Sequence, residues 1–378
     1  MTAWFGSSAS AMTPFLDVAL VVGARPNFVK AAALLAGMRD HSEVRTRLIH
    51  TGQHYDDRMS GQFFAELEIP APDVNLGVNA GSVVAQIAEI MTRLSSVLTD
   101  DRPDLVMVVG DVTSTLAAGL VTNKMGLPLA HVEAGLRSFD RTMPEEINRM
   151  VTDTLADYCF TTEPAAIENL LREGVSGERI HHVGNVMIDT LFRFRERAGW
   201  STILEELTLK PQGFAVLTLH RPSNVDDPAT LKRTLAAVAA VQRDVPIVFP
   251  VHPRTRQRLQ QLESAVVGND GLRLVEPVPY LDFVQLMANA ACVLTDSGGI
   301  QEETTALGVP CLTLRPGTER PITVTRGTNR IVGLDRARIT DAWRQIRRGE
   351  WPMGRLPELW DGKAATRIIE VLLDHADH

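Results

Sequence analysis

Along the first half of the chain, short apolar runs ending in small or polar residues alternate with longer segments whose apolar side chains recur every three to four positions. That alternation predicts strand–helix–strand units around a parallel sheet, because strands covered on both faces are apolar throughout. Leu16–Val22 stops at Gly23 and gives way, after Pro26, to the Ala/Leu-rich segment Phe28–Met38, which predicts strand, turn and helix. Further strands are predicted at Val44–His50, Leu105–Val109, Leu129–Val132, Tyr158–Thr161 and Ile180–Val183. After a helical and polar stretch from Met187 to Lys210 the alternation restarts, with strands predicted at Phe214–Leu219, Ile247–Val251, Leu272–Val275, Cys292–Leu294 and Cys311–Leu314. The periodic segment Ala364–Leu373 closes the chain. The expected fold class is α/β, two Rossmann-like doubly wound parallel sheets in tandem.

Length agrees, since 378 residues exceed what one core usually organises. Apolar residues at 44% and charged residues at 22% are ordinary for a globular protein. A net charge of −8 and a pI near 5.7 argue against a nucleic-acid surface but leave room for a small anion held by local Arg, Lys and backbone N–H groups. Cys159, Cys292 and Cys311 each fall in an apolar run; their odd number and wide spacing suit no disulfide framework or zinc motif, so buried thiols in a reducing compartment are expected. Met1 to Thr13 lacks a basic secretory n-region and no apolar run is long enough to cross a bilayer, which predicts a cytoplasmic protein.

In open α/β sheets ligands bind beyond the carboxyl ends of the strands. Here those positions are polar: Gly110-Asp111 after Val109, Glu133 after Val132, His220-Arg221 after Leu219, and Thr295-Asp296-Ser297-Gly298-Gly299 after Leu294. Any one of them reads equally well as a cap or turn. Four together, from both halves of the chain, point to a shared cleft. The segment from Asp296 leads into a helix reaching about Leu307, whose first N–H groups suit a diphosphate, with Gly298 and Gly299 allowing close approach. Glu303, within that helix, can accept from ribose hydroxyls. Gly23-Ala24-Arg25-Pro26-Asn27 lacks the dinucleotide glycines and any Walker pair, so NAD and ATP are not supported; Arg25 and Lys30 can instead face an anion from the opposite wall. Asp111, Glu133 and Glu145 form an acidic set expected to raise one another's pKa, which suits proton transfer. A metal site ranks lower, because no His/Cys ligand spacing accompanies these carboxylates and the only nearby imidazole is His131.

These motifs together resemble the non-hydrolysing UDP-N-acetylglucosamine 2-epimerases from about Val18 to Leu373, the most telling being His131-Val132-Glu133-Ala134-Gly135-Leu136-Arg137, Pro144-Glu145-Glu146-Ile147-Asn148-Arg149, Asp296 to Glu303, and Thr318-Glu319-Arg320-Pro321. The resemblance implies a GT-B-like fold of residues 1–186, joined by a C-terminal helix at about 361–378, and residues 187–360, with the cleft between them. It implies a homodimer, no nicotinamide and no required metal. It further implies anti elimination of UDP to 2-acetamidoglucal and re-addition to the other face, giving UDP-N-acetylmannosamine for cell-surface polysaccharide supply. Asp111, Glu133, Glu145 and His220 match the essential residues. Arg25, Lys30, Arg221 and Arg320 match ligand contacts; Ser297, Gly298, Gly299 and Glu303 match phosphate and ribose contacts; Phe283 and the backbone from Val275 to Pro277 match the uracil pocket. Gln53, Arg221 and His252 match an effector site, but Asp56 stands where a glutamine is usual and Ala80 where an arginine is, so weak or absent activation by the substrate is expected. The His-Arg-x-Glu-Asn element here reads His220-Arg221-Pro222-Ser223-Asn224, and Ile322 replaces the glutamate that commonly follows Thr-Glu-Arg-Pro. A relative acting on another UDP-2-acetamido sugar, such as a diacetamido uronic acid, and a GT-B glycosyltransferase are the alternatives.

Overall fold

A computed structural model describes residues 16–52, 57–251, 253–261 and 271–376. The first sheet contains β1 (Leu16–Val22), β2 (Val44–His50), β3 (Val74–Asn75), β4 (Leu105–Val109), β5 (Leu129–Ala134), β6 (Tyr158–Thr161) and β7 (Ile180–His182). The second contains β8 (Ala215–Thr218), β9 (Ile247–Pro250), β10 (Leu272–Val275), β11 (Cys292–Thr295), β12 (Cys311–Thr313) and β13 (Asn329–Ile331). Pairing is parallel throughout, in the orders β3-β2-β1-β4-β5-β6-β7 and β10-β9-β8-β11-β12-β13. Chain order therefore reverses at β1/β4 in one sheet and at β8/β11 in the other, and each reversal leaves a crevice at the carboxyl edge.

Two strands escape the apolar-run criterion. β3 is two residues long and β13 reads Asn-Arg-Ile, so each edge strand is too short or too polar to show a pattern. β5 runs two residues past its predicted end, with a register slip between Val132 and Ala134 that leaves Glu133 at φ 73°. A bulge of this kind re-aims a side chain at the end of a strand.

All five residues of β4 and Val18–Val22 of β1 are buried. The helix Arg25–Arg39 is enclosed on most sides, packing on the helices Val186–Ala198 and Ala364–Ala376 as well as on the first sheet. The chain thus ends against the half in which it began. Trp360 donates its indole N–H to the Thr162 carbonyl at 2.9 Å, and the Ala365 amide donates to Asp189 Oδ2 at 2.8 Å.

Candidate active site

A cleft of about 740 Å³ lies where the two switch points face each other, lined from the first half by Lys30, Asp111, Pro144 and Glu145 and from the second by His220, Arg221, Ser297–Gly299, Glu303 and Arg320. Its first wall begins with Asn27. The Asn27 Oδ1 accepts from the Gly23 and Ala24 amides at 3.3 Å each, and its Nδ2 donates to the Val109 carbonyl at 2.7 Å. The start of the helix Arg25–Arg39 is thereby tied to the end of β4, and Lys30, just over a turn in, reaches across to Glu133. The Lys30 ammonium pairs with Glu133 Oε2, while Arg320, from the second half, donates to Oε1 at 2.8 Å. Glu133 is 3% exposed and lies behind these two cations instead of on the cleft wall.

Asp111 follows Gly110 at the end of β4. Arg149 brings Nε to 2.9 Å and Nη2 to 2.7 Å of Asp111 Oδ2, and Asn148 Nδ2 donates to its carbonyl at 2.8 Å. Burial alone would push this carboxyl up; Arg149, Lys30 and Arg320 outweigh it and hold Asp111 well below the usual carboxylate range. The expected mutual upward shift is therefore corrected at Asp111: the structure interleaves its acids with cations, so Coulomb attraction wins over carboxylate crowding. Upward shifts occur on the other wall. Glu303 is pushed to about 7, by burial and by Glu302, against the hydrogen bond from the Tyr280 hydroxyl at 2.8 Å. Glu302 also rises to about 7, by burial and by Glu133, in spite of Arg320 Nε standing 2.9 Å from its Oε1.

Glu145, at the start of the helix Pro144–Leu155, has a side chain 38% exposed, with the Arg221 guanidinium 3.8 Å away. Opposite it, the His220 Nδ1 stands 2.9 Å from Asp296 Oδ1. Asp296 is fully buried and also takes the His220 and Arg221 amides and Asn224 Nδ2. Burial works against its charge, but these partners hold its carboxyl below the ordinary value. With Nδ1 engaged, the Nε2 edge of His220 is the one free to act in the cleft.

Ser297 precedes the helix Gly298–Leu307 and its hydroxyl makes no capping hydrogen bond. The backbone at Gly298 has a further neighbour that the sequence does not announce: a Cβ there would fall 2.3 Å from Arg320 Nη1. Glu319 completes the support of Arg320, accepting from its Nη1 at 2.9 Å and from Arg315 Nη2 at 2.6 Å. Those arginines and Arg149 overcome burial and lower Glu319 to about 2.

Of the residues singled out in the sequence, Lys30, Asp111, Glu145, His220, Arg221, Pro277, Phe283, Ser297, Gly298, Gly299, Glu303 and Arg320 line the cleft together. Val275 does not; its carbonyl accepts from the Val251 amide and from Arg256. Arg25 opens its helix but its side chain lies outside the described residues, as do Gln53, Asp56 and His252. Sequence reasoning passed over Arg149, Asp296, Glu302 and Glu319 as functional groups, although each belongs to a quoted motif or adjoins one. Their place within those motifs was the one signal that could have found them. Among the described residues there is no group of three or more His, Cys, Asp and Glu side chains able to hold a metal, and no helix long and apolar enough to cross a membrane.

Two parallel-sheet halves that meet switch point to switch point over a cleft lined with acids and cations define a GT-B-like enzyme. The family model described as UDP-N-acetylglucosamine 2-epimerase matches residues 36–373, and the chain belongs to that family, whose members are epimerases. A protein of Methanococcus maripaludis named UDP-N-acetylglucosamine 2-epimerase homolog is 40% identical over 362 residues, covering 94% of this chain and 99% of its own. The UDP-2,3-diacetamido-2,3-dideoxy-D-glucuronate 2-epimerase of Pseudomonas aeruginosa is 38% identical over 362 residues, with the same coverage. A crystal structure of the Methanocaldococcus jannaschii UDP-GlcNAc 2-epimerase in complex with UDP-GlcNAc and UDP superposes with a TM-score of 0.87 at 36% identity, covering 95% of this chain and 99% of that one.

Proposed function

We propose that this enzyme, as a homodimer, inverts C2 of UDP-N-acetylglucosamine to give UDP-N-acetylmannosamine. The observation that carries the reading is the cleft itself: Asp111 and Glu145 on one wall face His220 and the N-terminus of the helix Gly298–Leu307 on the other. That helix end, with Ser297 and Arg320, suits a diphosphate, and Glu303 with Phe283 and Pro277 suits the nucleoside. The C2 proton adjoins no carbonyl, so it is lost only as the C1–oxygen bond to the diphosphate breaks. The C2–H electrons become the C1=C2 bond of 2-acetamidoglucal, and the C1–O electrons leave with UDP. Asp111, held ionised by Arg149, steadies the positive charge developing at C1. Glu145, on the cleft wall, is the candidate for moving the proton, Glu133 holds Lys30 and Arg320 from behind, and His220 Nε2 serves the departing diphosphate. Re-addition of UDP to C1 and of a proton to the other face of C2 completes the exchange.

Incubation with UDP-N-acetylglucosamine in D2O, followed by NMR, is expected to show both epimers carrying deuterium at C2, since a cleft carboxylate exchanges its proton with solvent. Epimerisation without label, or no interconversion in the absence of an acceptor sugar, overturns this reading. The likeness to the diacetamido-uronate epimerase supports a second substrate. Faster turnover of that UDP-uronate than of UDP-N-acetylglucosamine would assign the enzyme to it.

A further inference from the structure

His131 lies on β5, fully buried, and does not line the cleft. Its Nε2 stands 2.8 Å from the Gly110 carbonyl oxygen. A carbonyl only accepts, so this nitrogen carries a proton. Its Nδ1 stands 2.6 Å from Asp153 Oδ1. The other oxygen of Asp153 already takes the Gly135 amide at 3.1 Å and Arg137 Nη2 at 2.7 Å. Burial opposes charge on Asp153, yet His131 and Arg137 lower its carboxyl below the usual range. With the Arg137 guanidinium on its other oxygen Asp153 is a carboxylate, and a carboxylate only accepts, so Nδ1 carries a proton as well. Only a doubly protonated imidazole satisfies both partners.

The contacts of this ion pair fall on three elements. Gly110 precedes Asp111, and its own amide donates to the Val132 carbonyl at 2.9 Å. Gly135 comes two residues after Glu133. Asp153 lies about two turns on from Glu145 along the helix Pro144–Leu155. From these contacts we infer that the His131–Asp153 pair is a positioning unit that sets Asp111, Glu133 and Glu145 relative to one another, an inference that rests on the epimerase reading for the task those carboxylates perform. A buried ion pair is a poor source of net stability, whereas it fixes geometry well, because each group has few ways to be satisfied. Removing the imidazolium releases the Gly110 carbonyl and with it the turn that presents Asp111. The partners of the pair named above all lie in the first half, so the nucleoside side of the cleft, built from the second sheet, is expected to keep its shape.

The test has two readouts. In wild-type protein labelled with 15N-histidine, both ring nitrogens of His131, assigned by the signals missing from His131→Asn, are expected to carry protons, as their hydrogen bonds to Gly110 and Asp153 require. A neutral-imidazole shift on either nitrogen overturns the inference. Kinetically, folded His131→Asn and Asp153→Asn are expected to lose about 10²-fold in kcat, the scale set by a displacement of about 1 Å. KM and the Kd for UDP should stay within about twofold. Unchanged kcat, or a rise in KM with kcat intact, also overturns it. Should either variant fail to fold, the wild-type ring shifts decide. Wild-type protein that interconverts no UDP-sugar would defeat the epimerase reading, while the ring shifts still pass judgement on the pair.

Discussion

Arg149 sets two nitrogens on one oxygen of Asp111, and that contact separates this carboxylate from its neighbours in chemical character. A carboxylate locked to a guanidinium stays charged at any working pH and acts by its field; Glu145, standing further from the Arg221 guanidinium, is better placed to take and return a proton. Asp111→Asn and Glu145→Gln are each expected to lower kcat by about 10²-fold, the scale of a positioned acid, base or charge. In the proposed reading UDP is held by the opposite wall, so its affinity, measured by calorimetry, should remain near wild type in both. Loss of UDP binding in either variant would mean that the residue holds ligand instead of serving the chemistry. His220 shows the same logic in reverse, since the buried Asp296 orients the ring and leaves one nitrogen for the cleft.

At the level of elements, the helix Gly298–Leu307 has glycines at both ends for different reasons. Gly308, past its last residue, adopts φ 71° with nothing within 4 Å of where a Cβ would stand, so Gly308→Ala costs only the left-handed backbone, about 1 kcal/mol. At Gly298 the φ is ordinary and the space is taken by Arg320. Gly298→Ala is expected to push that guanidinium off Glu133, lowering kcat/KM by at least about tenfold with little change in melting temperature. Equal losses of activity at the two positions would show that helix distortion, not the displaced guanidinium, is responsible. These contrasts also mark what could be read from the chain. The central strands and the polar residues at their ends were legible because apolar runs bounded by Gly, Asp and His carry both signals locally. β3 and β13 were not, being short edges with no alternation, and neither was the bulge at Glu133. The support of Arg320 by Glu302 and Glu319, and of Asp111 by Arg149, was hidden for another reason. Which acid meets which cation depends on how separate elements pack, and composition within a motif does not encode that.

Across the whole molecule, the two halves touch through charged groups. Glu66, ending a helix of the first half, accepts from the Tyr280 and Leu281 amides at 2.9 and 2.8 Å, and Arg320 meets Glu133. Glu163, just past β6, faces Glu302 of the second half. Burial, then Glu302, push Glu163 up to about 8, against Arg320 and the Ile322 amide. The folded chain then keeps a proton on Glu163 that the unfolded chain has released above about 4.5, so the contribution of Glu163 to stability is greatest below that value, declines as pH rises through the interval to about 8, and is level beyond it. Melting temperature should fall across that window in the wild type and fall less in Glu163→Gln. Parallel curves for the two proteins would remove Glu163 as a cause. The last helix, Ala364–Ala376, has a bearing on how the chain is made. It buries Ile368, Ile369 and Leu372 against the first half, each contributing about 1.5–3 kcal/mol. Those side chains leave the ribosome only after the entire second sheet, tens of seconds later at about 5–20 residues per second. Throughout that interval the nascent first half lacks this cover along the helix Arg25–Arg39, so the unfinished chain, more than the finished enzyme, is the species that exposes apolar surface to its surroundings.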